Sequence, residues 1–216
     1  MDTIWQLFKS GGVVMFPLLG LSIYSVAMIL ERSLFWLRIS RQQDQVIKQL
    51  LNLYRDDPKA ATMMLKRHTN LPIARVFLVA LSLERSTPQK FKLALESAAQ
   101  AEMPILKRFS NSLETVISLS PLLGLLGTVL GLITSLSSLR LGDIGSSQAT
   151  GVTGGIAEAL ISTAAGLVVA IATLFFASMF RGLYLQQTAL ILEVGGQMEL
   201  IHLDKQEHEG VYDALT

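Results

Sequence analysis

One acid stands almost alone in a long apolar run, in Gly154-Gly155-Ile156-Ala157-Glu158-Ala159-Leu160-Ile161-Ser162-Thr163. A carboxylate about one helical turn inside an otherwise uncharged apolar segment is costly in hydrocarbon, so Glu158 marks a group facing protein, water or a moving ion. Two hydroxyls accompany it, Thr163 on the same run and Thr128 on the apolar run before it. A hydroxyl donates and accepts at once, which suits it to relaying a proton along a dry wall. Thr128, Thr163 and Glu158 are therefore the candidates for a proton path.

Helical periodicity gives these residues their neighbours. At 100° per residue, Gly124, Thr128, Gly131, Ser135 and Ser138 fall along one side of the earlier run, and Ala159, Thr163, Gly166, Ala170, Thr173 and Ala177 along one side of the later run. The opposite sides carry Leu122, Leu126, Leu130 and Ile133, and Ile161, Val168, Phe175 and Met179. Small faces let two helices approach closely, within one chain or between copies of it. Such stripes serve packing or line a pore, and a buried threonine often bonds its own i−4 carbonyl. Glu158 lies about 7.5 Å from Thr163 along the axis and about 100° from the centre of the stripe. It borders the stripe, where it could guard an outer entrance or pair with a neighbour as structure.

Composition places both runs in a membrane. Half of the 216 residues are hydrophobic and 16% are charged, with a mean hydropathy of +0.46; soluble domains approach a quarter charged. Uncharged windows at 10–30, 115–139 and 159–180 have 21, 25 and 22 residues. Each satisfies the requirement of about 20 residues for a helix to cross roughly 30 Å of hydrocarbon. The first is longer than the apolar core of a signal peptide, lacks a small-residue cleavage site and runs into Glu31-Arg32, so it reads as a retained anchor. Thirteen Lys and Arg lie between Arg38 and Arg108, against Arg140 alone between the second and third spans. By the positive-inside rule the middle region is cytoplasmic, with the N-terminus out and the C-terminus in.

The resulting fold class is an all-α integral membrane protein of three spans. Its expected segments are an outer-interface amphipathic piece at 1–12, transmembrane helix 1 at 13–37, a cytoplasmic helical region at 38–111, helix 2 at 112–139, a periplasmic turn at 140–153, helix 3 at 154–182 and a cytoplasmic helical tail at 183–216. Helix 1 shows no polar row and reads as a lipid-facing anchor. Within the cytoplasmic region, Val46, Ile47, Leu50, Leu51 and Tyr54 form a stripe ended by Asp56-Asp57-Pro58. Further helices follow at about 59–68 and 73–85, and a fourth starts at the Thr87-Pro88 cap. If that helix continues through Pro104 into the second span it is about 78 Å long, with kinks expected at Pro104 and Pro121. The tail repeats Leu185, Ala189, Leu192, Gly196, Glu199 and Leu203 at helical spacing and is expected to fray from Asp204.

Other chemistries lack support. There is no cysteine, so thiolate metal sites and cysteine nucleophiles are excluded. His68, His202 and His208 have no metal-ligand spacing. No phosphate-binding loop or hydrolase motif occurs, and the basic residues form no single patch. An enzyme, a cofactor, a metal and a nucleic-acid partner are not expected; membrane lipid is.

Two stretches carry a resemblance. Ser120-Pro121-Leu122-Leu123-Gly124-Leu125-Leu126-Gly127-Thr128-Val129-Leu130-Gly131 and Gly155 to Leu167 resemble the two signature stretches of the MotA/TolQ/ExbB proton-channel family. Gly11-Gly12-Val13-Val14-Met15-Phe16-Pro17 and Leu30-Glu31-Arg32 are similar to the ends of the first span in ExbB-like members. The resemblance implies a homopentamer in the bacterial inner membrane, with spans two and three lining a pore around the single spans of two ExbD- or TolR-like partners, each with an ionisable Asp. Thr128 and Thr163 match the family's pore threonines, Glu158 its acid, and Pro121, Gly124, Gly127, Gly131, Ala159, Gly166, Ala170 and Thr173 belong to the pore face. Proton flow would turn the partner helix and drive a TonB- or TolA-like protein. Three spans disfavour the four-span motor-stator branch. ExbB-like uptake, TolQ-like envelope maintenance and a non-conducting membrane scaffold are the open alternatives.

Overall fold

The computed structural model describes residues 8–83, 87–138 and 146–213, with the side chains of 146–150 and 205–213 set aside. Residues 1–7 of the amphipathic piece expected at 1–12, residues 140–145 of the turn expected at 140–153, and the last three residues lie outside the described residues. The described chain is helical throughout: α1 Met15–Asp56, α2 Pro58–Arg67, α3 Pro72–Leu81, α4 Pro88–Leu106, α5 Ser110–Ser137 and α6 Ser146–Asp213. Three of these, α1, α5 and α6, contain stretches long and apolar enough to cross a membrane. The chain divides into two compact units, Met1–Arg32 with Phe109–Phe180, and Ser33–Arg108 with Arg181–Thr216.

In the first unit the N-terminal part of α1, α5 and the first half of α6 come together. Val14, in the turn before α1, and Leu18, Ser25, Met28 and Arg32 of α1 are buried along one face, while Val13 of that turn and Phe16, Leu19, Ile23 and Leu30 of α1 are exposed on the other. The expectation of a purely lipid-facing anchor is thus corrected: one side of α1 packs against protein. Heptad-like spacing of Val14, Leu18, Ser25, Met28 and Arg32 is the signal for that side. Helix α6 begins at Ser146, eight residues before the Gly154 at which the third span was expected to open.

The second unit is a helical cluster closed by explicit caps. Asp57 Oδ1 accepts from Lys59 N and Ala60 N at 2.9 and 3.2 Å ahead of Pro58, and Thr87 Oγ1 accepts from Lys90 N ahead of Pro88. Such caps satisfy backbone donors that the first helical turn leaves free. Helix α3 packs on α2 and α4. Phe77, Phe91, Leu50, Leu65, Ile191 and Met198 form the centre.

Two differences from the expected periodicity stand out here. The tail helix buries Ile191, Val194 and Met198, while Leu185 and Leu192 of the predicted stripe are 57% and 61% exposed. The stripe was read one helical step off, because both sides of this helix are apolar. The helix also continues to Asp213, where fraying was expected from Asp204. Finally, no single helix runs from Pro88 through the second span. Lys107, Arg108 and Phe109 form a turn, and Phe109 takes a left-handed backbone with φ 66°. Pro104 and Pro121 both lie inside helices, α4 and α5.

Candidate functional site

Helices α5 and α6 meet along a seam of small residues. On α5 the buried line is Leu113, Val116, Ser120, Gly124, Gly127, Gly131 and Ser135. On α6 it is Gly155, Ala159, Ser162, Gly166, Ala170 and Thr173. The approach is backbone to backbone. A Cβ on Gly131 would sit 2.6 Å from the Gly155 carbonyl oxygen, one on Gly166 2.5 Å from that of Ser120, and one on Gly124 3.0 Å from Thr163 Cα. Residues 120, 124 and 131 thus face 166, 163 and 155, an antiparallel pair that only residues without bulk permit.

Of the predicted pore-face residues, Gly124, Gly127, Gly131, Ala159, Gly166, Ala170 and Thr173 lie in this seam, and Pro121 is half-buried beside it. Thr128 and Thr163 flank it, both half-buried. The Thr163 hydroxyl crosses the seam and donates to the Gly124 carbonyl at 3.1 Å. The Thr128 hydroxyl donates within its own helix to Leu125 at 2.6 Å, and Thr173 to Val169 at 2.7 Å. Each hydroxyl keeps lone pairs free to accept another proton donor.

Ser162 is the residue that the sequence reading passed over. It is fully buried, its hydroxyl donates to the Ala159 carbonyl at 2.9 Å and reaches the Gly124 carbonyl at 3.5 Å, and it fills the space left by the missing side chain of Gly127. The 4-3-4-4-3 spacing of Gly155, Ala159, Ser162, Gly166, Ala170 and Thr173 was the available signal. Ser135, another buried hydroxyl, donates to the Val152 carbonyl at 3.1 Å. Of the predicted α6 stripe, Thr163 is therefore displaced from the middle of the seam to its edge.

Glu158 lies near the opposite end of the seam from Gly166, half-buried. Its carboxylate rests against Gly12, in the turn that precedes α1, close enough that a side chain on Gly12 would overlap it. Gly12 has φ +72°, a backbone region open to glycine and strained for other residues. Val14 of the same segment faces Gly127, and Gly11 faces Ile161. The segment at the N-terminal end of α1 is therefore part of the site.

This arrangement sets hydroxyls and one carboxylate along a closely packed helix pair. Among the described residues no cluster of three or more His, Asp or Glu is placed to hold a metal ion.

The profile of the MotA/TolQ/ExbB proton channel family matches residues 68–193, which include the whole α5 and α6 seam. The chain is 56% identical over 193 residues to biopolymer transport protein ExbB-like 3 of Synechocystis sp., covering 89% of this chain and 92% of that protein. It is 43% identical over 196 residues to ExbB-like 1 of the same organism, covering 90% and 77%. Biopolymer transport protein ExbB of Xanthomonas campestris is 40% identical over 87 residues, covering 40% of this chain and 34% of the relative. With the seam, the three long apolar helices and these matches together, the chain belongs to the MotA/TolQ/ExbB proton channel family.

Proposed function

We propose that the chain is the channel subunit of an energy-transducing motor in the bacterial inner membrane, oriented N-out and C-in. Copies of it assemble as a pentamer around two ExbD- or TolR-like single-span partners, and proton flow through the assembly drives a TonB- or TolA-like protein in outer-membrane transport. Relatives named biopolymer transport proteins support the ExbB-like branch over a TolQ-like one.

One observation carries the mechanism. Between Glu114 and Arg181, leaving aside Arg140 and Asp143 of the expected turn, Glu158 is the one titratable side chain in α5 and α6. The proton carrier is then another chain's carboxylate or Glu158 itself; in this reading it is the partner's, with Thr128 and Thr163 as relay hydroxyls beside it and Glu158 toward the outside. To relay, each hydroxyl accepts a proton from one side as it gives its own to the other, so its present bond to a carbonyl is the resting state.

The test is the Thr128→Ala, Thr163→Ala double variant. It assembles normally and loses proton-coupled work. Normal energised uptake by the double variant would refute the relay. A second reading, a non-conducting scaffold, draws on the bonds of Thr128 and Thr163 to Leu125 and Gly124, which also serve packing. Proton flux into vesicles holding the chain with its single-span partner separates the two: the scaffold gives none.

A further inference from the structure

The Gly11-Gly12 pair at the head of α1 has no part in the relay just described, yet it meets the acid of α6. Gly12 lies directly on the Glu158 carboxylate, so closely that a Cβ there would overlap Oε1. Its φ of +72° puts the chain in the region where glycine is at home. Met15 crowds Gly11, and Ile161, one turn along α6 from Glu158, lies 3.2 Å from where a Gly11 Cβ would be. Val14, 4% exposed, locks the same segment against Gly127 of α5.

We infer that Gly12 is a positioning residue for Glu158: the turn before α1 is a backbone seat that fixes the carboxylate at the edge of the seam. A bare Cα is needed because any side chain would occupy the volume of the carboxylate, and the left-handed turn is what directs the chain past it. The seat comes from the first span, so α1 takes part in the proton path without contributing a titratable group to it. This inference rests on the proposed function only for its consequence, since the seat itself is a matter of contact.

The experiment is a cycle of Gly12→Ala, Glu158→Ala and both, in the full chain with its partner, read by thermal unfolding, by the infrared carboxyl band lost in Glu158→Gln, and by proton flux. Gly12→Ala is expected to shift the Glu158 band and to lower flux by one to two orders of magnitude, the scale for a reacting group displaced by about 1 Å. In the Glu158→Ala background, where the space is vacant, Gly12→Ala lowers the melting temperature by less than it does in the native chain. Glu158→Asp, shorter by one methylene, partly restores flux to Gly12→Ala. If the two substitutions add independently in melting temperature and Gly12→Ala leaves the band in place, the seat does not exist. A shifted band with unchanged flux would uphold the seat and remove Glu158 from the proton path. Should Gly12→Ala fail to assemble, the cycle still decides: assembly regained in the Glu158→Ala background upholds the seat, and continued failure overturns it.

Discussion

The hydroxyl of Thr163 donates to the carbonyl of Gly124 across the α5 and α6 seam at 3.1 Å. In an α-helix that carbonyl already receives the N–H of the residue four positions on, here Thr128. One oxygen therefore ties the two threonines together, the first through its side chain and the second through its backbone. Thr163→Val keeps the volume and removes the donor. It should lower stability by about 1 kcal/mol, measured by thermal unfolding in micelles, and abolish proton flux. Thr163→Ser keeps the hydroxyl and should retain most of both. Equal flux from the Val and Ser variants would leave Thr163 a packing residue.

Equal substitutions carry different penalties inside the seam and beside it. A methyl on Gly131 would meet the Gly155 carbonyl at 2.6 Å and Ala159 at 2.9 Å, whereas one on Gly154 meets nothing within 4 Å. Gly131→Ala should destabilise by about 1–3 kcal/mol, because neither backbone can yield without separating the helices. Gly154→Ala should stabilise by up to about 1 kcal/mol through helix propensity alone. Melting temperatures of the two single variants test the pair, and a neutral Gly131→Ala would mean that the helices sit further apart.

The three spans and the cap at Thr87 were legible because they depend on composition and on local chemistry. Runs without charge mark the spans, and a threonine followed by proline starts a helix in any context. The seam was read nearly correctly, since small residues at four- and three-residue steps define it. Between Gly127 and Thr128, which are 100° apart on the wheel, polarity drew the reading to Thr128 while contact selects Gly127. Ser162 was missed because the stripe was drawn through Thr163, 100° away on the wheel, and only the antiparallel partner shows which hydroxyl points inward. The left-handed Phe109 has no local signal, because a bulky residue adopts positive φ only when surrounding structure imposes it. The contact between Gly12 and Glu158 joins residues far apart in sequence, so no window could contain it.

In the second unit, Arg75 holds Glu102 by two parallel bonds, Nε to Oε1 at 2.7 Å and Nη2 to Oε2 at 2.5 Å, and donates a third to the Thr69 carbonyl at 2.7 Å. The hydrogen bond to Glu102, opposed in part by burial, holds the Arg75 guanidinium above its ordinary pKa. The Glu102 side chain is 11% exposed and Arg75's 31%. Glu102→Gln keeps the shape and removes the charge, leaving Arg75 half-buried without its anion. A loss of about 1–3 kcal/mol is expected, and Arg75→Lys should not recover it, because an ammonium cannot make the forked contact. Denaturant unfolding of the full chain checks both. No loss from Glu102→Gln would show the pair to be incidental to the α3 and α4 contact.

Phe91 stacks on both Tyr54 and His202, at ring separations of 6.4 and 4.8 Å, and the Tyr54 hydroxyl lies 2.9 Å from His202 Nδ1. Three helices, α1, α4 and α6, are joined by this one cluster. Burial disfavours the tyrosinate and pushes Tyr54 up from 10.0 to about 12. The sign follows from linkage: above pH 10.0 the unfolded chain gives up the phenol proton while the folded chain keeps it, so the unfolded state binds fewer protons and gains on the native one. The stabilisation from neutral Tyr54 is whole below that pH and is lost as pH rises through about 12. Tyr54→Phe should cost about 1 kcal/mol at neutral pH for the missing hydrogen bond. In the variant the alkaline fall in melting temperature should be shallower than in the native chain. Near-ultraviolet difference absorbance, comparing the native chain with Tyr54→Phe, should show a tyrosine titration at about 12 that the variant lacks. If the two proteins lose stability in parallel through the alkaline range, Tyr54 does not hold its proton in the fold.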